Sequence, residues 1–326
     1  MAKQELYPLT FELIVKDKIW GGTRLKDILG KKIDSDTCGE TWELSGVKDN
    51  VSVVANGYLK GSTLNELINK FGSALLGKKV IQKYGSEFPL LVKFIDANRD
   101  LSIQVHPNDE QAKKFNSFGK TELWYILHAD KGAHLISGFN KNLSKDEFSS
   151  LLEEGNILDV LHEEDVEKGD VYFMPAGRIH NIGGGMMIAE IQQSSDITFR
   201  IHDFDRADLN GEKRELHIED ALEVLDFTPT INGKTEYQPA VNQLVNLVKC
   251  EQFITNKINF DTTIIRDFSS LDSFIIYVCL KGELKLSAED HEMLLKAGDV
   301  YLIPAFYDSV TLQPNIQSLV LEAYIG

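Results

Sequence analysis

Gly169-Asp170-Val171-Tyr172-Phe173-Met174-Pro175-Ala176 recurs almost unchanged as Gly298-Asp299-Val300-Tyr301-Leu302-Ile303-Pro304-Ala305. Each copy opens on turn residues, runs through strand formers and is closed by a proline, the pattern of a short strand between tight turns. A strand run ending in Lys-Gly precedes each copy, at Lys131-Gly132 and Lys281-Gly282. The interval is longer in the first copy, and the excess falls in 140–165. There Ser144 and Glu147 form a capping box ahead of Phe148, Leu151 and Leu152. The pattern predicts one β-domain occurring twice, with a helical insertion in its first occurrence. The copies differ where chemistry would sit: five residues beyond the proline stands His180 in the first and Ser309 in the second.

A second source of polar groups lies upstream. Ser102, Gln104 and His106 alternate with Ile103 and Val105, so a strand there places the three polar side chains on one face. Pro107 ends it, Asn108 with Gln111 reads as a helix cap, and Glu122 opens the apolar run 123–127. Imidazole nitrogens with amide and carboxylate oxygens suit a divalent ion such as zinc. A Gln and a His on one strand are more often hydrogen-bonded core groups, so the metal reading leans on His180 as a further ligand. The second copy has nothing like Gln-x-His before its Lys-Gly strand, which makes the first copy the working one.

Around these motifs the chain reads mostly as strands. Short runs at 10–15, 41–44 and 51–54 are separated by polar turns, among them Trp20-Gly21-Gly22. Thr63 and Glu66 cap a helix that extends to about Tyr84, and a further helix runs 216–225. Lys93 interrupts the apolar run 89–94, either at a strand end with its head in solvent or turned into a polar cavity. The polar stretch 226–242, with Pro229 and Pro239, divides a catalytic part, 1–235, from a C-terminal part, 236–326, without metal ligands.

The 326 residues are 43% hydrophobic and 26% charged, with a formal net charge of −16. Such a balance argues against nucleic acid or an anionic membrane as partner, and an anionic ligand would need a local cluster of cations. The three cysteines, Cys38, Cys250 and Cys279, form neither a disulfide framework nor a thiolate zinc spacing. With no signal-peptide core and no bilayer-length apolar run, a cytoplasmic protein is expected. The six histidines other than His106 and His180 have no partner spacing and read as solvent or core groups.

Gly169, Pro175, Gly177 and His180 together resemble the second motif of the cupin superfamily, whose jelly-roll barrels hold a metal at one mouth. Five further blocks resemble type I phosphomannose isomerases: 19–22, 39–45, 88–93, 101–107 and 120–124. So do Gly177-Arg178-Ile179-His180 and 193–200, which ends on Arg200. The resemblance implies a mainly β fold of two cupin-like jelly-roll β-barrel domains with a few inserted helices. It implies one zinc ion per chain, held by Gln104, His106, Glu122 and His180. The activity implied is reversible interconversion of mannose 6-phosphate and fructose 6-phosphate through an enediol, with Arg200 essential. Lys120, Glu190 and Asp196 are the candidate bases, and Ser102 with Lys93 or Lys120 the candidate phosphate contacts. Trp20 is a candidate substrate wall. The short form expected here is a monomer or homodimer. Two rivals remain open: another metal-dependent cupin enzyme, such as a dioxygenase or a different sugar isomerase, and a sugar-phosphate-binding cupin without catalysis.

Overall fold

The structure, a computed structural model, describes residues 6–207 and 211–326. The mainly β expectation holds: four antiparallel sheets carry the architecture. A six-stranded sheet runs, in spatial order, Ile14–Gly22, Cys38–Ser45, Leu90–Ala97, Met186–Gln193, Glu122–Ala129, Val171–Met174. Facing it are Phe199–His202, Ile103–Val105, His180–Ile182, His134–Phe139 and Leu161–Asp165. The C-terminal stretch builds the counterpart. Gln243–Lys249, Ile254–Phe260, Ser318–Tyr324, Ile275–Lys281 and Val300–Ile303 form one sheet; Ile264–Asp267, Ser309–Pro314, Glu283–Ala288 and His291–Lys296 form the other.

The sequence repeat is a structural repeat down to its hydrogen bonds. Gly169 and Gly298 take positive φ, +97° and +95°, which favours glycine. The backbone N–H three residues before each aspartate, at Glu167 and Lys296, donates to that carboxylate at 2.8 Å, Asp170 in one copy and Asp299 in the other. Each glycine N–H then donates to the neighbouring strand, Gly169 to Ile126 and Gly298 to Cys279. Across the sheets Glu190 pairs with Trp124 and Lys93 in one copy, and Glu322 with Tyr277 and Asn256 in the other. The Gly-Asp pair recurs because it makes the turn that delivers the edge strand in register.

The four sheets stack as layers. Val92, Phe94, Leu123, Tyr125, Ala189 and Ile191 leave one face of the six-stranded sheet and pack with Ile276, Val278, Leu321 and Ala323 of the C-terminal five-stranded sheet. The polar stretch 226–242 is also packed: Thr230 N–H donates to Phe139 O, Lys234 bridges to Tyr172, and the Tyr237 hydroxyl donates to Gly169 O. On the outer side of the Ile103–Val105 sheet, Phe148 of helix Lys145–Glu153 and Ala221 and Val224 of helix Ile218–Val224 close a second core. No helix of the described residues is long and apolar enough to cross a membrane.

Several local expectations are corrected. Trp20-Gly21-Gly22 is the end of the Ile14–Gly22 strand, not a turn; the glycine at 21 marks a close approach of Thr37 and Gly39 that leaves no room for a side chain. Residues 10–13 lie outside the regular strand and contribute an isolated bridge at Phe11. The helix expected from 63 to 84 is three helices, Leu64–Phe71, Ser73–Leu76 and Lys78–Tyr84, broken at Gly72 and Gly77 with φ +51° and +95°. Gly77 offers no side-chain cap, and Asp272 from the C-terminal half caps the last helix instead, accepting from Lys78 N and Lys79 N at 2.8 and 3.0 Å.

Inside the second sheet pair, Glu322 is fully buried and needs a counter-charge. Arg266 supplies it through two bonds, Nε to Oε2 at 2.8 Å and Nη2 to Oε1 at 3.0 Å, with the Tyr277 hydroxyl adding a third at 2.8 Å. Replacing Arg266 by Met strands a buried carboxylate and is expected to cost about 3 kcal/mol of unfolding free energy. Urea unfolding measures it; a loss below about 1 kcal/mol would mean that water reaches Glu322.

Candidate metal centre and active site

The inner face of the six-stranded sheet is where the charges collect. One cross-strand row reads Trp42, Lys93, Glu190, Trp124, Tyr172, each pairing with the next. Period two sends Lys93 and Glu190 inward while their neighbours Val92, Phe94, Ala189 and Ile191 go to the shared core. The facing sheet carries a second row. Arg200 pairs with Gln104, Gln104 with His180, and His180 with Ser137. Between the two rows lies a cavity lined by Trp20, Glu40, Lys93, Ser102, Gln104, Lys120, Glu122, Trp124, Glu190 and Arg200, with Lys18, Thr198 and Arg214 contributing further.

Among the described residues, one group of His, Cys, Asp or Glu side chains converges closely enough to hold a metal ion. It is His106, Glu122 and His180, all buried, with one donor atom from each within 4.8 Å of the others. His106 Nε2 is 3.4 Å from Glu122 Oε1, and His180 Nε2 is 4.0 Å from Glu122 Oε2. Burial, reinforced by the Lys120 charge, pushes the His106 imidazole well below its ordinary range, and burial brings His180 down to about 4. Both rings are therefore neutral near pH 7. His180 Nδ1 donates to Arg178 O at 2.8 Å, which leaves the Nε2 lone pair facing the Glu122 carboxylate. Lone pairs and a carboxylate that face one another in a buried site fit a cation between them.

Gln104 completes the set in composition. Its Nε2 lies 3.5 Å from His106 Nε2 and 3.4 Å from His180 Nε2, while Ser102 Oγ donates to Oε1 at 3.2 Å. Half a turn of the amide exchanges the two ends and brings the oxygen to the imidazoles. The residues present thus fit a divalent ion with nitrogen and oxygen donors.

Around this centre the cavity wall holds five cations, Lys18, Lys93, Lys120, Arg200 and Arg214, against three carboxylates, Glu40, Glu122 and Glu190. In a chain of net charge −16 this is a local excess of positive charge, suited to an anionic ligand. Lys93 is buried, 3.0 Å from Glu190 Oε1 and 3.8 Å from Glu40 Oε2. Burial opposes its charge, but Glu190, Glu40 and Glu122 outweigh that and hold it above the ordinary lysine range. Burial, with the Glu122 charge beside it, raises the Glu190 carboxyl, against the pull of Lys93 and Lys120. Lys120 Nζ stands 3.2 Å from Glu122 Oε1. Arg200 donates from Nη1 to Glu215 O at 2.7 Å, and its Nε is buried without a hydrogen-bond partner among the described residues.

Of the residues singled out from the sequence, the cavity wall carries Gln104, Glu122, Arg200, Lys120, Glu190, Ser102, Lys93 and Trp20, and His106 and His180 converge on Glu122. Lys93 takes the inward of its two expected orientations. Asp196 is not brought in: it is exposed, in the loop before Phe199–His202, and does not line the cavity. His217 does not stand apart, since its Nδ1 accepts from the Arg200 N–H at 3.2 Å and pins that strand. Sequence reasoning passed over Lys18, Glu40 and Arg214. The first two carried a signal, because Lys18-x-Trp20 and Glu40-x-Trp42 alternate as strand faces do. Arg214 sits in an irregular polar segment with no local cue.

Comparison with known proteins places the chain in a family. Residues 9–122 match the family model "Phosphomannose isomerase type I, catalytic domain", and 243–322 match "Mannose-6-phosphate isomerase, cupin domain". The mannose-6-phosphate isomerase ManA of Bacillus subtilis is 36% identical over 301 residues, 91% of this chain and 93% of the relative. The mannose-6-phosphate isomerase of Streptococcus mutans is 36% identical over 299 residues, 91% of this chain and 92% of the relative. Among solved structures, mannose 6-phosphate isomerase from Bacillus subtilis superposes with a TM-score of 0.88 at 32% identity, covering 98% of this chain and 99% of that one. Phosphomannose isomerase from Salmonella typhimurium shares the fold, with a TM-score of 0.81 at 17% identity over 98% of this chain and all of that one. With identity of this level along nearly its whole length, the chain belongs to the type I phosphomannose isomerase family.

Proposed function

We propose that the cavity interconverts mannose 6-phosphate and fructose 6-phosphate, with one zinc ion held by Gln104, His106, Glu122 and His180. The observation that carries the reading is the buried convergence of His106 and His180 on Glu122, which lines one cavity with Arg200, a cavity with more cations than carboxylates. The three free cysteines, with Cys38 and Cys279 buried, suit a cytoplasmic setting.

Aldose–ketose exchange moves one proton between carbon 1 and carbon 2 and shifts the carbonyl between them through an enediol. A bound divalent ion supplies Lewis-acid polarisation of the sugar oxygens. The proton transfer falls to Glu190. Its carboxyl is buried at the cavity wall and raised, the condition under which a carboxylate gains basicity toward neutral pH. Lys120 and Glu190 are each ion-paired, Lys120 to Glu122 at 3.2 Å and Glu190 to Lys93 at 3.0 Å, so the raised carboxyl is what favours Glu190. Arg200 faces the developing oxyanion as a permanently charged planar donor, with its buried Nε free to take a partner. Ser102 Oγ with Lys93 holds the phosphate, assisted by Lys18 and Arg214, which line the same cavity. Trp20 and Trp124 exclude water from the reacting carbons.

A coupled assay on mannose 6-phosphate tests the reading directly: activity is lost on chelation and regained with zinc, whereas binding without turnover in zinc-loaded protein would make the chain a sugar-phosphate-binding module. Equilibrium dialysis should find one divalent ion per chain, with affinity at least tenfold weaker in His180→Ala. Arg200→Met is expected to lower kcat by about a hundredfold or more while the metal content holds; a kcat within threefold of the parent would remove Arg200 from the chemistry.

A further inference from the structure

Asp203 has no part in the scheme above, yet it is buried, with 6% of its surface exposed, and carries two arginines. Arg206 Nη2 donates to Oδ1 at 2.6 Å, and Arg214 donates from Nε to Oδ2 at 2.7 Å and from Nη2 to Oδ1. The two partners differ in their other contacts. Arg206 also donates from Nε to Asp203 O and from Nη1 to Asp100 O, and its guanidinium lies 5.2 Å over the Phe204 ring. Those bonds close the turn that follows the Phe199–His202 strand, where Phe204 and Asp205 take φ of +54° and +53°. Arg214 stands in the irregular stretch before helix Ile218–Val224 and lines the cavity.

Two features single out the Arg214 pair. The first is its geometry: the side-on match of Nε and Nη2 with both carboxylate oxygens fixes the plane of the guanidinium and leaves Nη1 outside the pair. A long side chain on irregular backbone would otherwise give up its rotamer freedom each time it engaged a ligand. The second is charge. Arg200, which lines the same cavity, lies within the field of both partners: after burial, the Arg214 and Arg206 charges lower it below the ordinary arginine range. Burial opposes the Asp203 charge as well, but the Arg214 and Arg206 bonds outweigh it and hold the carboxyl below its ordinary range. Three guanidinium groups thus share one buried carboxylate, and Glu215 beside them is exposed, which leaves positive charge for an anion to take up.

We propose that Asp203 is a positioning residue: it locks the Arg214 guanidinium at the cavity before a ligand arrives, so that the phosphate of a sugar phosphate meets a preset planar donor. The inference rests on the phosphate role given to Arg214 above. Geometry and charge pull in opposite directions here, because a carboxylate beside an anion site weakens its positive field. If the field alone mattered, removing the Asp203 charge would tighten anion binding; with Arg214 unlocked, binding weakens instead. The proton transfer at Glu190 is untouched, so KM moves and kcat holds.

Asp203→Asn removes the charge and one of the two acceptors, and Arg214→Lys keeps the cation but not the fork. In calorimetry with inorganic phosphate each variant should lose affinity by about fivefold or more, and the double variant should lose no more than about either one alone. With mannose 6-phosphate, Asp203→Asn should raise KM by a similar factor and keep kcat within about threefold of the parent. Phosphate affinity in Asp203→Asn equal to or above that of the parent overturns the proposal. So does parent-like affinity in Arg214→Lys, or a double variant whose loss is the product of the two single losses. If Asp203→Asn does not fold, Arg214→Lys decides by itself. The titration needs no turnover: a parent that binds phosphate without isomerising mannose 6-phosphate sinks the function proposed above, while the phosphate affinities of the variants still decide the role of Asp203.

Discussion

Lys93 sits in a strand whose every residue is buried, and an ammonium in such a place costs several kcal/mol unless it is paired. The pairing comes from both neighbouring strands, Glu40 on one side and Glu190 on the other. Those partners work only if three strands share one register, because a slip of one residue would turn Lys93 into the apolar core in place of Val92 and Phe94. The same alternation that buries Val92 and Phe94 against the C-terminal half presents Lys93 to the cavity. Register, core and active-site charge are thus one constraint.

Much of the site could be read from the chain because its ligands come from regular strands. Gln104, His106 and His180 obey a two-residue period or a fixed distance from a turn, and local sequence reports both. Glu40 and Lys18 were legible by the same rule, but their partners are remote in the chain, so the alternation alone did not distinguish them from solvated strand residues. Arg214 and the exposed position of Asp196 belong to irregular segments on either side of the Phe199–His202 strand, which no periodicity encodes. The fold was legible through its duplication. The breaks at Gly72 and Gly77 were not, because the cap of the last helix is Asp272, remote in the chain.

The two copies solve one electrostatic problem in two ways. Each places a glutamate, Glu190 or Glu322, on the central strand of a buried sheet. In the second copy the charge is closed off by a bidentate arginine and the Tyr277 hydroxyl, leaving a filled interior in which Phe260, Leu286 and Leu312 pack as an ordinary core. In the first copy the charge is shared among several groups, none of which fully satisfies it. The side chains that complete such a pattern are the ones a ligand can engage, which places the chemistry where the packing is least self-sufficient.

The shared core between the halves has a further implication for how the protein tolerates change. The outer face of the C-terminal five-stranded sheet, with Ile276, Val278, Leu321 and Ala323, is the back wall against which the cavity-bearing sheet is braced. A substitution there reaches Lys93 and Glu190 through only one sheet thickness. The inner face of the same sheet answers only to volume and to the charge of Glu322. One strand of the C-terminal half therefore carries two independent selective loads, and its alternate residues should drift at different rates even though none of them touches a ligand.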